Sequence, residues 1–230
     1  MTMARDDASR VWAAALQGLE SSSASVRLQA ALAIGTSPHP RFVDPLVERC
    51  AVEPEFAVRD TLTWTLTRHP PSVTVPRLVA ELRSERAQAR SQALHTLSKI
   101  GDRGAWPAIT RAVLTDPDDE VARSAWRAAV VLVPEGQEPE LADVLATQLG
   151  RGGRETQRSL GRALVALGEV VVPVLRAAAA DHDPGVRRHA IATERLLRDP
   201  DAAFEPAIEE AKRIVALGGA VGGVRAGADR

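Results

Sequence analysis

Two interlocked ladders constrain this chain more than any other feature of its sequence. The first is a proline inside a short apolar run: Pro45, Pro76, Pro107, Pro173 and Pro206, spaced 31, 31, 66 and 33 residues apart. The double step marks a unit that lacks its proline, which Ala142 fits, and Ala14 fits one earlier unit. The second ladder is a small apolar residue followed by Arg: Val26-Arg27, Val58-Arg59, Ala89-Arg90 and Val186-Arg187, with Val121-Ala122 and Thr156-Gln157 holding the same phase. It trails the first by 13 to 15 residues in every unit. A period of this length marks repeated supersecondary units, none of which can bury its apolar face alone.

Each unit reads as helix A, a short turn and helix B. Proline near the start of helix A is tolerated because first-turn N–H groups have no intrahelical partner. The A–B turns carry breakers and acids, as in Asp116-Pro117-Asp118-Asp119 and Asp181-His182-Asp183-Pro184-Gly185. Those acids sit at the positive end of helix B. Helix B shows a 3.6-residue apolar period, as in Ala89, Ala93, Leu97, Ile100 and in Val121, Ala125, Ala129, Leu132. No segment alternates with period two, so the expected fold is all-α.

The stretch Ala89-Arg90-Ser91-Gln92-Ala93-Leu94-His95-Thr96-Leu97-Ser98-Lys99-Ile100-Gly101-Asp102 resembles the short HEAT repeat of the phycobilin-lyase-like type. The resemblance implies a right-handed α-solenoid of about six HEAT-like hairpins plus a C-terminal helix, in one domain over 1–217. The repeats are expected at about 8–36, 40–70, 72–102, 104–134, 138–169 and 170–199, with a half-repeat at 202–217 and a disordered Gly-rich tail at 218–230. It also implies that the ladder residues Arg27, Arg59, Arg90 and Arg187 are structural and pair with turn acids of a neighbouring repeat. Asp116 and Asp181 are candidate partners. Such repeats host scaffolds, lyases, hydroxylases and DNA-repair proteins, so fold does not settle function.

The composition suits this architecture. The chain is 45% hydrophobic but only 3% aromatic, so Ala, Leu and Val must fill narrow inter-helix seams. There is no Asn, and Lys occurs only at Lys99 and Lys212. That Arg and Ala bias points to a GC-rich bacterial genome. The start, Met1-Thr2-Met3-Ala4-Arg5-Asp6-Asp7, has no apolar stretch, and no apolar run approaches 18 residues. The expectation is a cytoplasmic protein with no membrane partner.

Catalytic constellations are sparse, and the reading leans away from an enzyme, with no catalytic residue, metal or cofactor expected. His39, His69, His95, His182 and His189 fall in different repeats, form no metal-binding spacing and read as solvated surface residues. Cys50, the single cysteine, reads as a buried inert thiol. The run Gly150-Arg151-Gly152-Gly153-Arg154 reads as a linker, because it lacks the strand and Lys-Ser/Thr of a phosphate loop. Trp12 and Trp106 read as packing residues, and Trp126 lies between the core and exposed phases.

Binding residues are sought on helix B, which lines the concave face in such stacks. Positions one, two and five after the ladder are expected to be exposed. They give Leu28, Gln29, Leu32; Asp60, Thr61, Trp64; and Ser91, Gln92, His95. The later units give Arg123, Ser124, Arg127; Arg158, Ser159, Arg162; and Arg188, His189, Ala192. The candidate partner-binding set is Trp64, His95, Arg123, Arg127, Arg158, Arg162, Arg188 and Arg195. Residues 116–230 carry 19 acids against 15 bases, yet these B helices are Arg-rich, so the net charge of −1 conceals a segregation by face. Trp64 stands open between an anchor for a partner and burial under the next repeat. The leading expectation is a non-catalytic scaffold that holds a protein or peptide; if the Arg-rich B helices form an anion-binding groove over repeats four to six, that partner is acidic. The alternative is a nucleic-acid-binding protein resembling the HEAT-like alkylpurine DNA glycosylases, for which Trp64, Asp60 and Arg127 are of the right types.

Overall fold

The computed structural model describes residues 12–199, 207–209 and 211–215. They are helices and turns, with no strand among the described residues, and they fall into two compact units, Met1–Leu132 and Val133–Arg230. The expected tail at 218–230, the start of the first repeat and half of the half-repeat at 202–217 lie outside the described residues; 207–209 and 211–215 are helical.

In the first unit, a helical segment at 12–19 precedes α1 (Ala24–Thr36), α2 (Val43–Cys50), α3 (Phe56–Thr67), α4 (Pro71–Glu81), α5 (Ala87–Ile100), α6 (Arg111–Leu114) and α7 (Asp119–Leu132). The ladder helices α1, α3, α5 and α7 pack in series, each on the next. Their seams hold Ala31, Leu62, Leu66, Leu94 and Leu97, all essentially inaccessible.

Prolines depart from the expected placement twice. Helix α4 begins at Pro71, so Pro76 lies in its interior, beyond the first turn where its missing N–H costs least. The fourth A helix is split. A 3₁₀ stretch over Arg103–Ala108 contains Pro107 and is capped by the Asp102 carboxylate, which accepts from Gly104 N–H at 2.8 Å. The chain then breaks at Ile109 and restarts as the four-residue α6.

Trp126 is fully buried, correcting its intermediate reading. Its indole N–H donates to the Leu114 carbonyl at 2.9 Å, which occupies an acceptor that short α6 leaves without a helical partner. Cys50 is buried, and burial, with Glu53 adding to it, pushes its thiol up to about 12.

In the second unit, α8 (Glu138–Ala146), α9 (Arg154–Ala166), α10 (Val172–Ala179) and α11 (Pro184–Arg198) form two hairpins, with a 3₁₀ turn over Gly168–Val171 leading into α10. Asp183 caps α11, accepting from Gly185 N–H at 2.5 Å and Val186 N–H at 3.3 Å. Those two bonds hold its carboxyl below the ordinary value.

The A–B turns share one device. The ladder guanidinium folds back over its own turn, and its Nη1 donates to the carbonyls six and five residues earlier. Arg27 reaches Ser21 and Ser22, and Arg59 reaches Glu53 and Pro54. Arg90 reaches Ser84 and Glu85, and Arg187 reaches Asp181 and His182. Of the two Arg-less positions, Ala122 has no such donor, and at the other the Gln157 amide donates to Gly150 and Gly152 instead.

Two ladder arginines also clasp the next turn. Arg27 holds the buried Glu53 through two bonds of 2.7 Å, and Arg49 adds a third at 2.9 Å. Arg90 holds Asp116 at 2.9 and 3.1 Å. Burial alone would raise the Glu53 carboxyl, but Arg27, the Glu55 N–H and Arg49 outweigh it and bring it to about 2. Arg59 and Arg187 form no ion pair among the described residues.

Candidate functional site

Helices α3, α5 and α7 lie side by side and leave a shallow hollow between their exposed flanks, with about 110 Å³ open to small molecules. From α3 come Phe56, Arg59 and Asp60, spaced so that Phe56 and Asp60 share a helix face. From α5 come Ser91, Gln92 and His95. Helix α7 closes the far side with Glu120, Ser124 and Arg127.

Two of the expected exposed positions form its floor instead. Ser91 and Ser124 are buried, their hydroxyls paired at 3.0 Å across the α5–α7 seam. In the neighbouring α3–α5 seam, Thr63 and Thr96 pair at 3.4 Å. A B helix in a stack packs on both neighbouring B helices and on its own A helix, so its buried arc is wider than one apolar stripe. A hydroxyl enters that arc when another hydroxyl meets it.

Charges of both signs surround the hollow. Arg123 binds Glu120, and Arg127 lies 4.0 Å from the same carboxylate while donating to Ser124 Oγ at 3.0 Å. Burial, followed by Arg127 and Lys99, holds His95 below the ordinary histidine value, against the opposing pull of Asp60 and Glu120. Burial lowers Arg127 as well. His95 and Arg127 are thus brought together, and Arg123 is joined to them through Glu120.

Trp64 lies two turns along α3 from Phe56. Its ring packs on α1: a Cβ added to Gly35 would stand 2.2 Å from it. The ring is nevertheless 41% exposed, with the Arg68 guanidinium 5.9 Å from its centroid. Trp64 therefore has one edge packed and one edge open. Phe56, at the rim of the hollow, is 74% exposed.

The other four candidate arginines belong to the second unit. Helix α9 carries Arg158, half-buried, and Arg162, exposed, one turn apart. On α11, Arg188 interacts electrostatically with Asp183. Arg195 lines a different depression of about 290 Å³, with Ile191, Arg198 and Ile214. His189 and Ala192, expected on the exposed row, are buried.

Two histidines correct the expectation of solvated rings. His69 is buried, its Nδ1 2.9 Å from the Thr65 carbonyl, and its Nε2 has no hydrogen-bond partner among the described residues. His189 accepts from Gly150 N–H at Nδ1, 3.1 Å, and its Nε2 lies 2.9 Å from the Gln157 carbonyl. A carbonyl only accepts, so Nε2 carries the proton and the ring is neutral. Burial, only partly offset by the Gln157 bond, lowers it to about 4. The run at 150–154 is therefore pinned at its first residue rather than a free linker. The pin was not visible in sequence because its two halves are 39 residues apart.

No group of three or more His, Cys, Asp or Glu suited to a metal ion occurs among the described residues, and none of their helices is long and apolar enough to cross a membrane. No curated protein matches the chain. Residues 51–130 match the family model of HEAT repeats. The matched stretch carries α3, α5 and nearly all of α7, and with them the hollow.

Proposed function

We propose that this chain is a non-catalytic interaction module that holds a protein or peptide segment along the open flank of α3, α5 and α7. One observation carries the reading. The residue five after the ladder gives Leu32, Trp64, His95 and Arg127 in successive B helices, and each is exposed or half-buried. That row sets an aromatic ring, an imidazole and a guanidinium beside the exposed ring of Phe56. Trp and Arg dominate the anchoring residues of interfaces, and stacked helical repeats present such rows on a concave face. The match to HEAT repeats, a family that commonly mediates protein interactions, supports the same reading. The short, phycobilin-lyase-like form of the repeat is part of it and rests on the stretch 89–102. Arg158, Arg162, Arg188 and Arg195 are proposed as a partner-binding row of the second unit in its own right.

The test is capture of partners from the native host by the whole protein, beside Trp64→Ala and Arg127→Ala. The captured protein is then purified and rebound. Binding is expected to weaken about tenfold or more with each variant. A partner that binds both variants as tightly as the parent overturns the reading. Retardation of duplex DNA at about 50 mM salt, lost when Arg123, Arg127, Arg158 and Arg162 are changed to Ala, would favour the nucleic-acid alternative.

A further inference from the structure

We infer that the hollow receives a single carboxylate side chain, an Asp or Glu of the partner segment, seated between Arg59 and Arg127 with an apolar neighbour laid on Phe56 or Trp64. This rests on the interaction reading above and names the chemistry of the occupant.

Charge around the hollow favours an anion. Arg59 and Arg127 line it, and Lys99 and Arg123 flank it. Against these four stand Asp60 and Glu120, and Glu120 is already engaged by Arg123. Asp60 forms no ion pair among the described residues, and Arg127 also lies 4.0 Å from Glu120, so four cations stand against two carboxylates. The depressed His95 agrees: Arg127 and Lys99 outweigh Asp60 and Glu120 at its ring.

Donors converge on the same space. The Arg127 side chain is 52% exposed and uses one of its nitrogens on Ser124 and Glu120. Arg59 uses Nη1 on its own turn, which fixes the guanidinium, and its Nη2 and Nε make no hydrogen bond among the described residues. The side chains of Gln92 and His95 form no hydrogen bond among the described residues, and both line the wall. A carboxylate accepts up to four hydrogen bonds and matches the fork of an arginine.

Size and acid placement narrow the source of the anion. A space of about 110 Å³ takes a side-chain terminus and not a cofactor. Asp60 on one wall and Glu120 on the other oppose the evenly spaced charges of a nucleic-acid backbone. The exposed ring of Phe56, four residues before Asp60, offers apolar contact one helical turn away.

The experiment is selection of a random peptide display library on the whole protein, followed by synthesis of the enriched peptides. They are expected to carry Asp or Glu beside an aromatic or aliphatic residue. Changing that acid to its amide should weaken binding about tenfold, as should Arg127→Ala, while Arg127→Lys recovers part of the loss. Enriched peptides that lack an acid, or that tolerate the amide, overturn the inference. If Trp64→Ala still abolishes their binding, the interaction reading survives that outcome. A library that enriches nothing, or peptides indifferent to both Trp64→Ala and Arg127→Ala, overturns both. Preference for an oligonucleotide over the acidic peptides overturns the inference in favour of phosphate.

Discussion

The two units fasten the same A–B turn in different ways. In the first, the turn at Glu53 is locked by charge: a fully buried carboxylate held by Arg27 and Arg49, with Gln88 donating to the Cys50 and Glu53 carbonyls beside it. In the second, the turn at Gly150 is locked by a neutral imidazole and a neutral amide, His189 and Gln157. One helical period therefore accepts two chemistries, provided that each buried polar group is met. The chemistries yield to acid over different pH ranges, which makes the comparison testable.

The largest effect is expected from Glu53→Leu, which leaves two arginines facing a vacated buried site. Urea unfolding should show a loss of about 4 kcal/mol. Adding Arg27→Met should restore much of it, because the buried charge leaves with its partner. A single variant that costs almost nothing would remove the charged lock from the comparison.

Acid should come next. His189 titrates near 4 in the fold against an ordinary 6.5, so between those values the unfolded chain binds a proton that the fold refuses. Stability should fall by about 3 kcal/mol as pH drops from 6.5 to 4 and level off below. Glu53 runs later. Its carboxyl sits at about 2 against an ordinary 4.5, so its contribution is complete above 4.5 and lost as pH falls towards 2. Amide exchange reads both locks: near pH 4.5, Gly150 N–H should lose protection while Glu55 N–H, bonded to Glu53, keeps it. Equal protection of the two amides down to pH 4 would break the comparison.

Gly150→Ala is expected to cost about 2 kcal/mol. Its φ is +82°, and an added Cβ would stand 3.1 Å from the backbone N of Val186. Gly136 has φ +87° with open space around it, so Gly136→Ala should cost about 1 kcal/mol. Thermal melts of the pair separate contact from backbone strain. The smallest effect, about 1 kcal/mol in urea unfolding, is expected from Arg90→Lys, which keeps the charge but loses the two-pronged grip on Asp116.

The helical period and the ladder positions were legible because they depend on local spacing. The A–B turns were legible from their prolines and acids. What escaped were matters of two partners distant in sequence. Ser91 and Ser124 look like surface serines until their helices are laid side by side. His189 looks solvated until Gly150 is placed beneath it. Trp126 reads as lying between phases when one stripe is counted, whereas α7 buries Ala122, Ser124 and Ala128 beside the stripe of Val121, Ala125, Ala129 and Leu132. At the candidate site, the residue types at His95 and Arg127 were readable. The acid that tempers them, Glu120, was not, because it precedes the ladder position and so fell outside the row of residues that follow it.

The ladder arginine carries a consequence for how such a chain can grow. Its Nη1 spans a fixed interval of carbonyls and so acts as a gauge of turn length. In Arg27 and Arg90 the rest of the guanidinium reaches an acid at the same offset of 26 residues. Duplicating a whole unit would copy both halves of that clasp in register, whereas inserting a single residue in the turn would misplace both. Lengthening by entire units is then chemically self-consistent, and the junction between old and new copies needs no fresh invention.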